Sequence, residues 1–188
     1  MASSHAASVV FTTYNQPDWL EKVLIGFGAQ DRRDFEVLVA DDGSGEESRR
    51  RIEYLRRQLP IPVHHLWQPD DGFRKCQAMN MAIRQAASDY LIFTDGDCIP
   101  RRDFVSTHLR LREPGRFLSG GYHKLPMSTS LAISPEDVRC GRCFEERWLR
   151  LHGMPKSRRN LKLTAGPLMA GMLDIVSPAR ASWNGHNA

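Results

Sequence analysis

A chain of 188 residues, 41% hydrophobic and 26% charged, has the make-up of one globular domain with a substantial core, which excludes a fibrous or disordered chain. Its formal net charge of +4 suits an anionic ligand, an acidic polymer or a membrane surface. No apolar run approaches the roughly 20 residues that span a bilayer, and the first residues lack the basic and apolar regions of a secretory signal.

In chain order, Ser8–Thr13 reads as a buried strand, followed by Tyr14-Asn15-Gln16-Pro17, where Asn15 or Gln16 caps a helix with Pro17 in its first turn. Leu20, Val23, Leu24 and Phe27 give that helix one apolar face. A second strand, Phe35–Ala40, runs into Asp41-Asp42-Gly43-Ser44. A charged helix from Glu46 to Gln58 then buries Ile52, Leu55 and Leu59, and Pro62–Trp67 is a weaker third strand. After the loop Gln68–Phe73, a helix from Lys75 to Ala87 turns Met79, Ile83, Ala86 and Ala87 inward. The last strand of this series, Tyr90–Thr94, ends in Asp95-Gly96-Asp97-Cys98.

Beyond it the pattern loosens. Asp103–Arg112 reads as a helix, Arg116–Lys124 as a strand through Phe117, Leu118 and Tyr122, and Pro135–Leu151 as one amphipathic helix carrying Val138, Phe144, Trp148 and Leu151. Lys156–Lys162 is a basic loop, and Leu168–Val176 is apolar and glycine-bearing. Four cysteines are too sparse for a disulfide framework, which points to a reducing cytoplasm; Cys140-Gly-Arg-Cys143, with no second pair nearby, reads as reduced cysteines on a helix.

The order βαβαβαβ predicts an α/β fold with a mostly parallel sheet and helices on both faces. Residues 1–102 are expected to form its ligand-binding βα half, a nucleotide-binding one on the reading of the rim residues given below. Residues 103–188 form an acceptor-side region of the same domain, expected to be truncated because Trp183–Ala188 ends abruptly. In such sheets ligands bind beyond the carboxyl ends of the strands, where strand order reverses. That rule brings Thr12–Asn15, Asp41–Ser44 and Asp95–Asp97 to one rim. Each segment alone is explained by a turn; their convergence is not.

The first βα turn, Thr13–Pro17, contains no glycine, so neither a dinucleotide-binding loop nor a P-loop can cradle phosphate with backbone amides there. Asp95 and Asp97 offer another route: they hold Mn2+ or Mg2+, and the cation holds a diphosphate. In an extended segment residues two apart share a side, so one ion meets both carboxylates. Tyr14 is placed to stack on a base. Asp41 or Asp42 is placed to accept from a base N–H, which favours uracil or thymine where the donor is N3–H. Arg74 and Lys75 open the third helix facing the nucleotide, and Asn80 lies on its shoulder.

This set of residues resembles the inverting, GT-A-fold (Rossmann-like) glycosyltransferases of family 2. The resemblance runs from Ser8 to Arg102 and is carried by Ser8–Asn15, Val39–Ser44, Gly72-Phe73-Arg74 with Asn80, and Thr94–Asp97. Asp95–Cys98 followed by Ile99-Pro100 and Asp103-Phe104 is most similar to the N-terminal transferase of bacterial chondroitin polymerases. The resemblance implies a UDP-sugar donor bound by Thr12, Tyr14, Asn15, Asp42 (with Asp41 in support), Arg74, Asn80 and Asp95. It makes Asp97 the direct ligand of Mn2+ or Mg2+, with Asp95 near the ribose and the metal.

An acceptor hydroxyl of a glycan or lipid-linked chain then needs a general base. In the family this base comes from an acidic motif downstream of a Gly-x-Asn segment like Gly185-His186-Asn187, so it is expected beyond Ala188; Glu136, Asp137, Glu145, Glu146 and Asp174 lack the matching context. His186 is either a metal neighbour or a plain loop residue. Basic segments at Arg101-Arg102, Arg110–Arg116 and Lys156–Lys162 suit an anionic acceptor or peripheral contact with the inner face of the membrane, whereas aspartates along the rim disfavour nucleic acid. Two other readings are a non-catalytic nucleotide-sugar-binding module and a sugar-1-phosphate nucleotidyltransferase. The second would want a glycine-rich basic loop where Thr13–Pro17 stands.

Overall fold

A computed structural model of the chain describes residues 5–157 together with Asn160, Leu163, Gly166, Met169 and Met172. It opens with β1 (Ala7–Thr13), α1 (Pro17–Gly28), β2 (Phe35–Asp41), α2 (Glu46–Arg56), β3 (Val63–Trp67), α3 (Lys75–Gln85) and β4 (Leu91–Asp95). The four strands form one sheet in the order β3-β2-β1-β4 with every pairing parallel. β1 and β2 are the central strands and are apolar on both sides, as parallel strands covered by helices must be.

Alternation along the strands divides the core in two. Val9, Phe11, Val37, Val39 and Ile92 face α1 and α2 and pack with Leu20, Val23, Leu24, Phe27, Ile52 and Leu55. Phe27 stacks on Phe11 at 6.1 Å and meets Phe35 and Phe104 edge-on. Val10, Leu38, Ala40 and Phe93 face α3, which approaches through Ala78 and Ala82. Alanines at that contact bring the helix axis close to the sheet. Met79, Ile83 and Ala86 flank this line, half-buried. Ala87, expected inward, is exposed because α3 stops at Gln85 and Ala86 turns to an extended ψ of 131°.

The remainder is α4 (Phe104–Leu111), α5 (Met127–Ala132), α6 (Pro135–Cys140), a 3-10 turn (Arg142–Phe144) and α7 (Glu146–Leu151). Three expectations fail here. Arg116–Lys124 forms no strand: Gly115 has a φ of 75°, Gly120-Gly121 interrupts the alternation, and Phe117 and Tyr122 remain exposed. Pro135–Leu151 is not one helix, because Gly141 adopts φ 85° and closes α6 in a left-handed cap before α7 begins. Within that span Val138 and Leu149 are buried, whereas Leu151 is exposed. Lys22 is buried despite its charge; its Nζ donates to Ser130 O at 3.1 Å and lies over Trp19, tying α1 to α5.

No helix among the described residues is long and apolar enough to cross a membrane. Much of the basic loop Lys156–Lys162 and of the apolar run Leu168–Val176 lies outside the described residues, as do Asp174 and Gly185-His186-Asn187.

Candidate active site

Moving from β1 through β2 to β3 the chain steps to one side of the sheet; β4 then returns to the other side of β1. The reversal falls between β1 and β4, where Thr12 stands opposite Asp95 in register, and in open parallel sheets the carboxyl ends at such a reversal are where ligands bind. The turns that follow β1, β2 and β4 form this rim, together with Gln68 after β3 and the start of α3.

The turns after β1 and β2 are latched to one another. Asn15 sits at φ 49°, a conformation Asn tolerates better than most residues. Its backbone N–H donates to Ser44 Oγ at 2.9 Å, and its Oδ1 accepts from Gly45 N at 2.8 Å. Asn15 therefore does not cap α1; Gln16 holds the cap position without a side-chain bond, and Pro17 follows as expected. Gly43 is required on two counts. Its φ is 97°, and a Cβ there would lie 2.5 Å from Asp70 Cα.

The carboxylates of Asp41, which ends β2, and of Asp42, which follows it, are buried and bonded. Asp41 Oδ1 accepts from Ser44 N at 2.7 Å, and Oδ2 pairs with His65 Nε2 at 2.7 Å. Asp42 Oδ1 accepts from Gln68 Nε2 at 2.6 Å, and Oδ2 accepts from Arg74 N at 2.9 Å. Each carboxylate oxygen retains a second lone pair, so these bonds orient Asp42 without exhausting it. Asp41, fully buried, shapes the turn from behind. His65 and Gln68 escaped sequence reasoning; the signal was the parallel register, which sets Asp41 against Trp67 and so brings the end of β3 to this rim.

Tyr14 is half-exposed, and its hydroxyl donates to Asp70 Oδ2 at 2.9 Å, an interaction that pushes its pKa up. Thr12, near the end of β1, is half-buried. Arg74 is folded back: one terminal nitrogen donates to Pro69 O at 2.5 Å and the other lies 3.3 Å from Asp71. Among the described residues, the buried side-chain polar atoms without a hydrogen-bond partner are Arg74 Nε and Thr13 Oγ1. Thr13 ends β1 and Arg74 holds the cap position of α3, so both residues border this rim. Asn80 is exposed in the second turn of α3, away from this cluster of bonds.

Ligand atoms of Asp95, Asp97 and Cys98 all lie within 4.8 Å of one another. The expected convergence of the aspartates is present, but its cause is a turn: Asp95 ends β4, and Cys98 N donates to Asp95 O at 3.1 Å, folding Asp97 back. Gly96 allows this turn, because a Cβ there would meet Thr12 O at 2.5 Å. Burial, and then the charges of Asp97 and Asp95, push the Cys98 thiol up to about 12. A neutral thiol beside two carboxylates fits a hard divalent cation held by oxygen better than a soft ion held by thiolate. Lys75 Nζ donates to Asp95 Oδ1 at 3.1 Å. Of the acids weighed as a base, Asp137 is bound into the α6 cap, Glu136 pairs with Arg139, and Glu146 accepts from Asn160.

Residues 8–124 match the family described as Glycosyl transferase family 2. The chain is 31% identical over 108 residues to the uncharacterized glycosyltransferase YfnE of Bacillus subtilis, covering 57% of this chain and 27% of that protein. It is 32% identical over 107 residues to chondroitin synthase of Escherichia coli, covering 55% of this chain and 15% of that protein. Among solved structures, the mannosyltransferase PcManGT of Pyrobaculum calidifontis, in complex with GDP-Man and Mn2+, superposes with a TM-score of 0.53 at 25% identity, covering 58% of this chain and 33% of that one. The chain thus spans a third or less of the length of each of these relatives.

Proposed function

Because this chain belongs to glycosyl transferase family 2, we propose that it is the donor-binding part of an inverting enzyme that moves a sugar from UDP to a glycan or lipid-linked acceptor, assisted by Mn2+ or Mg2+. The observation that carries the reading is the cluster of Asp95 and Asp97 at the carboxyl end of β4, where strand order reverses beside β1, with the bonded Asp42 just after the neighbouring β2. Residues 1–102 take the nucleotide and residues 103–188 lie on the acceptor side of the same domain. The likeness to chondroitin synthase supports a hexose or hexosamine as the sugar class.

In this reading Asp42, fixed by Gln68 and the Arg74 amide, accepts from the base, and Tyr14 lies against its face over Thr12. Asn15 contributes by holding the first two turns together, and Asp41 by holding Asp42's turn in shape. Arg74 turns its free Nε–H toward the nucleotide, and Asn80 approaches from the shoulder of α3. Asp97, with Asp95, holds the divalent cation, which when bound offsets the negative charge of the departing nucleoside diphosphate. The base that deprotonates the acceptor hydroxyl lies outside the described residues. The enzyme works on the cytoplasmic side, with its basic surface toward an anionic acceptor or the inner face of the membrane.

Asp42 alone does not select uracil: guanine N1–H donates as uracil N3–H does, and the relative with GDP-Man binds a purine nucleotide. The deciding experiment is a thermal-shift titration with UDP and GDP, each with and without Mn2+. UDP is expected to raise the melting temperature only with the metal present, and Asp97→Ala to abolish the shift. A larger shift with GDP overturns the choice of donor, and a metal-independent shift overturns the role of the aspartates. UDP binding with no sugar transfer by a longer chain favours the non-catalytic reading.

A further inference from the structure

We propose that the Lys75 ammonium is a built-in counter-cation of the metal site, competing with the divalent ion for Asp95 and freed for the donor's diphosphate when the ion takes that carboxylate. The inference rests on the metal-assisted reading above. Lys75 Nζ lies 3.1 Å from Asp95 Oδ1, and both side chains are about one-third exposed, so neither is locked away from exchange.

The position of Lys75 makes poor sense for helix stability. It is the first residue of α3, at the positive end of the helix dipole, where cations are disfavoured. Arg74, another cation, occupies the cap position without a side-chain cap bond, and the first turn holds no acidic residue to offset either. Two basic residues at this end answer to something outside the helix, and the group Lys75 meets is Asp95. Asp97, the companion carboxylate, is met by the Cys98 thiol at 3.7 Å, which brings no charge.

Two carboxylates this close repel unless a cation lies between them. Lys75 offsets half of that charge before any ion arrives. A divalent ion at the same carboxylate repels the ammonium, so the two are alternative partners. The four-carbon stem of lysine lets the head group move without moving α3. Removing the ammonium therefore has opposite effects on two ligands: the metal gains an uncontested carboxylate, and the diphosphate loses a cation.

The test uses the full chain, with free Mn2+ followed by electron paramagnetic resonance and UDP binding measured at saturating Mn2+. Lys75→Met is expected to tighten Mn2+ binding about two- to fivefold, the range of an exposed ion pair, and to weaken UDP binding by a similar factor. Lys75→Gln is expected to repeat both changes, and Lys75→Arg to leave both near the unaltered chain, with melting temperatures checking that each variant folds. Mn2+ affinity that is unchanged or weaker in both neutral variants overturns the proposal, and so does unchanged UDP affinity. Failure of the unaltered chain and every variant to bind Mn2+ overturns instead the metal-assisted reading on which the proposal stands.

Discussion

Gly96 shows how a single residue decides whether the acidic turn exists. Its missing Cβ lets the peptide after β4 pass the Thr12 carbonyl, and a methyl group there would lie 2.5 Å from that oxygen. Because the obstacle is backbone, β1 and β4 must separate to admit it. Gly96→Ala is expected to cost about 1–3 kcal/mol of stability, as overpacking at a closed site does, measured by urea denaturation. It should weaken Mn2+ binding as well, since Asp97 is carried by the same turn. At this scale the sequence was informative about identity and misleading about geometry. Asp95 and Asp97 were legible as a pair, but the two-residue period of a strand was the wrong reason for their meeting. The bonds that hold Asp42, from Gln68 and the Arg74 amide, were illegible: they join segments whose approach is set by β3, the strand with the weakest pattern. Asn15 was legible as a turn residue and as one of two candidates for the helix cap; Gln16 takes that position, and the Asn15 side chain reaches Gly45 in the next turn.

At the scale of elements, the first seven were readable because each buried helix face and each strand carries its own period. What failed lies after β4, where short helices meet through caps. α6 is closed at its start by a reciprocal cap: Ser134 Oγ accepts from Asp137 N, and Asp137 accepts from Ser134 N at 3.0 Å. Burial pushes the Asp137 carboxyl up, but the Ser134 bonds and the charge of Arg142 outweigh it and hold the pKa below the ordinary 3.8. A pKa depressed in the folded state means that the stabilisation is complete above the unfolded value and is lost as pH falls through the folded one. Asp137→Asn is expected to cost about 1 kcal/mol at pH 7, the usual worth of a cap. The gap to the unaltered chain should close as pH drops below 3.8 in paired denaturation curves. A gap that shows no dependence on pH across the acid range would assign the cost to packing. Nothing in the run from Pro135 to Leu151 except Gly141 announced the break, and glycine alone does not distinguish a cap from a tolerated helix residue.

Over the whole molecule the two layers are unequal. α1 is enclosed by the sheet, α2 and α6, with aromatic rings filling the space around Phe27. α3 covers the opposite face alone among the first three helices, with Ala78 and Ala82 at its buried centre and half-buried residues along its sides. Less apolar surface leaves water with the closing of α3, so its local opening requires less free energy. Amide hydrogen exchange is expected to be faster along α3 than along α1 in the free chain, and to slow in α3 when UDP and Mn2+ are added together. Equal protection of the two helices, or no slowing on binding, would count against this division. The helix expected to loosen is the one whose cap residue, Arg74, and first residue, Lys75, border the rim.

The reversal of strand order between β1 and β4 also bears on when, in folding, the proposed site is completed. β1 and β4 are neighbours in the sheet, with Thr12 opposite Asp95, yet three helices and two strands separate them along the chain. Pairings between β1, β2 and β3 close short loops, whereas joining β4 to β1 closes the longest loop in the sheet and contends with the largest entropy of closure. Asp42 and its turn need only the earlier pairings; Asp95 and Asp97 reach their places with the last. On the metal-assisted reading, recovery of nucleotide binding during refolding is expected to run behind the signals that report helix formation, as a clock for the final strand docking.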